Sequence, residues 1–268
     1  GEAKITALLT EDSRAAAGDA VPLVCDAKRL HFFDESGARV EVERTTVVSA
    51  RPAGGVVRDG ALWPADDADY RLFAGPTGRT LPGGTGSVGV IEVFFPYVAY
   101  GITDRVQIAA GTTVAPEIMA EILWVEPRIG LISGPRANVS AGVVAFVARS
   151  ELDEGSVGAL QLSGTFGGER AAVNAGLAWP FLVDEEESDI VDPILTLGGE
   201  IRLSRRVKLM AESYFLLGDE SGSGVLSGGV RIFGDRLSAD VGLAGLAGDD
   251  SGCCLPIISF GWAFGGGR

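Results

Sequence analysis

The sequence predicts an all-β chain: a membrane-spanning antiparallel β-barrel of about twelve strands, preceded by a small β-domain. Three observations predict it. From about residue 70 the chain runs in segments of roughly ten residues whose apolar and polar side chains alternate, the period of a strand with two unlike faces. The connections between those segments alternate between tight and long. Mean hydropathy is positive, +0.26, although the net charge is −14. Strands facing lipid reconcile the last two numbers, since only every second residue need be apolar. No stretch approaches the ~18–20 unbroken apolar residues of a membrane helix.

Residues 1–50 read as a small β-unit of SH3-like kind. Leu30–Phe33 and Arg39–Val48 alternate around the turn sequence Asp34-Glu35-Ser36-Gly37, which is a hairpin signal, and ITALLTED near the start supplies a further strand. Residues 51–69, rich in Pro, Gly and Asp, read as a linker. The barrel is assigned to residues 70–268. Its strands are placed at 71–80, 87–100, 105–114, 120–132, 137–148, 157–167, 170–182, 193–203, 206–217, 224–233, 236–247 and 255–264. A spanning strand needs roughly 9–11 residues.

The tight connections are GITDR (101–105), SGPRA (133–137), GGER (167–170), SRR (204–206) and GDR (234–236). Between them lie TTVAPEIMA, RSELDEGS, VDEEESDIVD, GDESGSG and GDDSGCC. Short turns on the periplasmic side alternating with longer outside loops are the pattern of outer-membrane barrels. An even count then requires a strand at YRLFAGPTGRT, with PGGTG as the first outside loop. Glycine is about twice as frequent as usual, at 39 residues, and is spread through the second half, so it belongs to strands and turns.

The two faces of each strand separate cleanly. Leu195, Leu197, Gly199, Ile201 and Leu203 oppose Thr196, Gly198, Glu200 and Arg202; Val207, Leu209, Ala211 and Phe215 oppose Lys208, Met210, Glu212 and Tyr214. Leu237, Ala239, Val241 and Leu243 oppose Ser238, Asp240, Gly242 and Ala244. One face stays free of charge, as lipid imposes: Arg or Lys at the bilayer midplane costs ~2–4 kcal/mol. In the last segment Ile258, Phe260, Trp262 and Phe264 share a face. Aromatics at alternate positions of a terminal strand resemble the C-terminal insertion signal of outer-membrane barrels, so Phe260, Trp262 and Phe264 are assigned that role. The departure is GGGR (265–268), because the last aromatic of that pattern usually stands at the extreme end. Trp124 and Trp179 are placed at strand ends, where interfacial girdles lie.

RLFAGPTGRTLPGGTG (71–86), followed by FFPYVAYGITDRVQIAAG (94–111), resembles a group of poorly characterised bacterial outer-membrane β-barrel proteins in which a GPTGRxLP segment and a YGITD turn open the barrel. The resemblance covers about the first third of the barrel. It implies fold and location and carries no known activity.

Inward charges expected from the alternation are Glu92, Glu126, Arg128, Glu200, Arg202, Lys208, Glu212, Arg231 and Asp240. Five acids against four bases read as mutually satisfied ion pairs bracing the lumen, since unpaired charges there are costly; a charged constriction selecting solutes is the alternative. VDEEESDIVD offers Asp184, Glu185, Glu186, Glu187 and Asp189 as carboxylates for a divalent ion. It lacks the spacing of an EF-hand and reads rather as a solvated outside loop, cross-linked to lipopolysaccharide through such ions.

His31 is the sole histidine and lies outside the barrel, so a Ser-His-Asp site in the lumen has no general base. Cys25, Cys253 and Cys254 are too few for a disulfide framework. GPTGR lacks the GK[ST] ending of a phosphate loop. The chain carries no basic footprint for nucleic acid. No signal peptide opens it, so a cleaved precursor is expected. No cofactor and no metal are implied.

These readings together give a non-enzymatic barrel of the bacterial outer membrane with its N-terminal domain and C-terminus periplasmic. Its expected role is a structural or anchoring component of a cell-envelope assembly, with a partner bound through residues 1–69. The alternative is a passive porin-like channel for small solutes.

Overall fold

A computed structural model of the chain describes residues 6–7, 32–33, 39–40, 55–58, 61–114, 121–149, 154–183, 192–218, 223–234, 236–247 and 254–265. It divides into two compact units, Gly1–Ala65 with Gly265–Arg268, and Asp66–Phe264. In the first unit, β1 (Thr6–Ala7), β2 (Phe32–Phe33) and β3 (Arg39–Val40) form an antiparallel sheet in that order. Phe32 stands opposite Val40 and Phe33 opposite Arg39. β4 (Gly55–Arg58) and β5 (Ala61–Pro64) form a separate hairpin with Val56 opposite Trp63. The stretch expected as a linker therefore carries two paired strands.

The second unit is a closed twelve-stranded antiparallel barrel. Its strands are β6 (Thr85–Ile91), β7 (Phe95–Gly101), β8 (Val106–Thr112), β9 (Glu121–Ser133), β10 (Ala137–Arg149) and β11 (Glu154–Gly167). They continue with β12 (Ala171–Val183), β13 (Ile194–Arg202), β14 (Val207–Leu216), β15 (Gly224–Phe233), β16 (Leu237–Ala247) and β17 (Leu255–Gly265). Each pairs with its sequence neighbour, and β17 closes on β6. Closure leaves no strand edge unpaired, which is what allows a sheet to cross a bilayer.

The alternation read from the sequence is physical. Leu209, Val241, Ile258, Phe260 and Trp262 are exposed on the outside, whereas Lys208, Met210, Asp240 and Ser259 are buried on the inside. Trp179 is on the outer face, but Trp124 is not, as shown below. Phe264 stacks on Trp262 and Tyr100, with ring centroids 5.9 and 6.5 Å away.

The count of twelve is reached by a different route from the one expected. Residues 71–80 are not a wall strand, and 87–100 is two strands rather than one. A turn at Glu92 and Val93 breaks that run, with φ of 53° and 62°, a left-handed conformation uncommon for any non-glycine residue and costly for β-branched Val93. β6, β7 and β8 are consequently seven residues each, below the usual 9–11. The connection 92–94 replaces PGGTG as the first on the long-loop side. PGGTG lies at the opposite end: Gly84 N–H donates to Gly101 O and Gly83 N–H to Asp104 Oδ1.

Candidate functional site: a plugged lumen

Residues 66–82, expected as linker and strand, lie inside the barrel. Ala68, Tyr70, Arg71, Leu72, Phe73, Thr77 and Leu81 are all buried. The segment is a tight hairpin of its own: Leu72 N–H donates to Gly75 O, Thr77 N–H to Tyr70 O, and Arg71 bridges Pro76. A segment enclosed by a wall needs partners for its backbone groups, since each buried group left unmade costs ~1–3 kcal/mol. The inward side chains of the barrel supply them.

Arg231, on β15, is wholly buried. Its Nη1 donates to Ala68 O at 2.7 Å and Arg71 O at 3.2 Å, and its Nη2 to Leu72 O at 2.7 Å. Asp240, on the neighbouring β16, accepts from Arg231 Nε at 2.6 Å and from Arg71 Nη1 at 2.8 Å. Glu212, on β14, collects the opposite polarity: the N–H groups of Phe73, Ala74 and Gly75 donate to its carboxylate at 3.1, 3.1 and 2.8 Å. Tyr214 O–H donates to Glu212 Oε1 at 2.7 Å.

Around the rest of the circumference, Arg128 donates to Thr77 O and Tyr70 O, and the Ser140 hydroxyl to Thr77 O. Gly78 N–H donates to Thr165 Oγ1, and Leu81 N–H to Gln107 Oε1. Both glycines of GPTGR are demanded by this fit. A Cβ on Gly75 would run into the Glu212 carboxylate and the Tyr214 hydroxyl, and one on Gly78 into the backbone carbonyl of Asn138.

At the short-turn end the ion pairs form a chain. Lys208 Nζ lies 2.8 Å from Asp66 Oδ2 and 2.8 Å from Glu200 Oε2, and Arg79 Nη1 lies 2.6 Å from Glu200 Oε1. Asp66 thus lies between two cations of the wall, Lys208 and Arg231, the latter 3.3 Å away. Arg202 sits over the Phe233 ring at 4.9 Å and donates to Ser204 O.

The lumen positions read from the alternation thus come together with one exception. Glu92 lies in the 92–94 turn, where its carboxylate accepts from Ile258 N–H at 3.2 Å, away from the network. Glu126 is inward, with its nearest cation, Arg128 Nε, 3.6 Å away. Sequence reading missed the other half of the site: Asp66, Arg71 and Arg79, the charged side chains that the plug contributes. Asp184, Glu185, Glu186, Glu187 and Asp189 fall outside the described residues, as do His31, Cys25 and Cys253. Cys254 is exposed and free.

The site defines a closed antiparallel β-barrel whose interior holds a segment of its own chain. No family model matches the chain, and no curated protein does. Among solved structures it is similar to a KdgM porin in complex with disordered oligogalacturonate, at 8% identity over 68% of this chain and 97% of that one, TM-score 0.49. It is also similar to the outer membrane protein Omp33 of Acinetobacter baumannii, at 12% identity, 68% and 96% coverage and TM-score 0.36. A third similarity is to the CymD monoaromatic hydrocarbon channel, at 10% identity, 70% and 90% coverage and TM-score 0.36. The likeness is one of barrel architecture.

Proposed function

We propose that this chain is a porin-like barrel of the bacterial outer membrane, held shut in its resting state by its own residues 66–82. The observation that carries this reading is the satisfaction of the plug's backbone by the wall: Arg231 takes three of its carbonyls and Glu212 three of its amides. Such a segment blocks the lumen yet is held by a few side chains that can be removed one at a time. The first barrel strand enters and the last leaves at the end with the short turns, which in these barrels is the periplasmic end. The longer acidic connections then face outward, toward lipopolysaccharide and its divalent ions.

The test is conductance in planar bilayers. The native chain is expected to be silent, and Gly78→Ala and Glu212→Ala, which evict or release the plug, are expected to give steady open currents. Steady current through the native barrel would sink the plug reading. A closed anchor for an envelope assembly, with a partner on residues 1–69, is the second reading, favoured by the same buried ion pairs. Silence of both variants, with folding shown by heat-modifiable gel migration, would support it.

A further inference from the structure

Antiparallel partners share a face of the sheet, so the interior can be traced from Arg231 strand by strand through the register. Arg231 pairs with Lys208 and Asp240, Glu212 with Gly198 and Ser227, and Gln107 with Arg128. Continued toward the long-loop end, the inward positions change character. They become Trp124, Phe146, Val157, Leu182, Leu216 and Leu246, through the pairs Trp124 with Phe146, Phe146 with Val157, Val157 with Leu182, and Val225 with Leu246. Trp124, expected at the membrane interface, is one of these lumen residues.

Among the described residues, every inward charge lies at or below the level of Glu126 and Glu212. Above it the inward positions are mostly apolar, the hydroxyls of Thr113 and Thr196 excepted. Lipid accounts for an apolar outer face, but it makes no demand on the inside. Nor does the plug fill this space: Phe146, Val157, Leu182 and Leu246 keep 36%, 38%, 40% and 57% of their surface exposed. Large apolar side chains open to water on a concave wall are the mark of a site awaiting an apolar occupant.

The boundary layer adds a polar requirement. Glu126 Oε1 and Gln161 Oε1 are buried with no hydrogen-bond donor. The two Nη groups of Arg128, the nearest cation to Glu126, are committed to plug carbonyls, and its Nε, which has no hydrogen-bond partner, stands 3.6 Å from Glu126 Oε1, beyond hydrogen-bond reach. Two acceptors stripped of water and left without donors call for a donor from elsewhere.

We propose that the long-loop half of the lumen is a binding vestibule for a small apolar molecule bearing a primary amine, its body against the Trp124–Phe146 wall and its amine directed to Glu126. The inference rests on the reading of a plugged membrane barrel, because the plug and its charged partners form the floor. It is tested by fluorine NMR of 4-fluorophenethylamine added to the full chain in lipid nanodiscs, against empty nanodiscs. Saturable broadening that unlabelled phenethylamine reverses is the expected result. Phe146→Lys should abolish it, and Glu126→Gln should weaken it about tenfold, a change of ~1.4 kcal/mol, while binding of neutral 4-fluorotoluene is unchanged. Heat-modifiable migration shows that each variant is folded. No saturable signal, or equal binding in folded Phe146→Lys, overturns the vestibule. Equal loss of both probes in Glu126→Gln overturns the amine contact. Bilayer conductance of the same preparation reads the plug separately: silence without ligand binding refutes only the vestibule, and a steady native current refutes only the closed lumen.

Discussion

At the scale of single residues, the plugged half of the interior is held by buried polar pairs together with two small apolar clusters. Arg231 and Asp240 show no exposed surface, and both face a segment that needs their donors and acceptors. Desolvating such a pair is costly, and removing one partner strands the other, a loss of ~3–5 kcal/mol. Asp240→Ala leaves Arg71 without its carboxylate and Arg231 with only Asp66, 3.3 Å away, so it is expected to destabilise the barrel by about that amount in urea titrations from lipid vesicles. An exposed ion pair would lose ~1 kcal/mol or less, and a loss that small would show that water reaches this pair. The inward position of these residues was legible in the sequence, because Lys208, Met210, Glu212 and Tyr214 alternate with apolar neighbours. Asp66, Arg71 and Arg79 were not, because their burial comes from enclosure by a wall far away in sequence, which no local period records.

At the scale of elements, the two misreadings have opposite effects on the count. YRLFAGPTGRT alternates like a strand, yet its glycines serve close approach: Gly75 to Glu212 and Gly78 to the Asn138 carbonyl. In the next run, IEVFFP holds no Gly, Asn or Asp at its turn, so nothing in its chemistry announces the break between β6 and β7. The left-handed backbone at Val93 is sustained by the closure of β17 on β6 and by Glu92, whose N–H donates to Ile258 O. Val93 is mostly exposed, at 61%, so little packing is lost on its removal. Val93→Gly is therefore expected to stabilise the barrel by about 1 kcal/mol through relief of backbone strain. A destabilisation by the same measure would mean that the branched side chain, and not the conformation, is what this turn needs.

At the scale of the whole molecule, the barrel has three environments: an apolar outer face, a polar plugged half and an apolar open half of the lumen. The outer face is the one on which membrane residence depends. Alternation alone does not decide it, since a sheet packed against a protein core shows the same purity. Closure does bear on it: in a closed barrel the apolar face of β16 has no second layer, and Val241 and Leu243 remain half exposed. Val241 stands in the middle of β16, where a spanning strand meets hydrocarbon. Val241→Arg is expected to cost ~2–4 kcal/mol in unfolding from lipid vesicles. In a barrel surrounded by water the same substitution on an exposed strand would stay within ~0.5 kcal/mol. A cost that small would mean that water, not lipid, meets this face, and would take away the physical reason for the charge-free outer faces from β12 to β17.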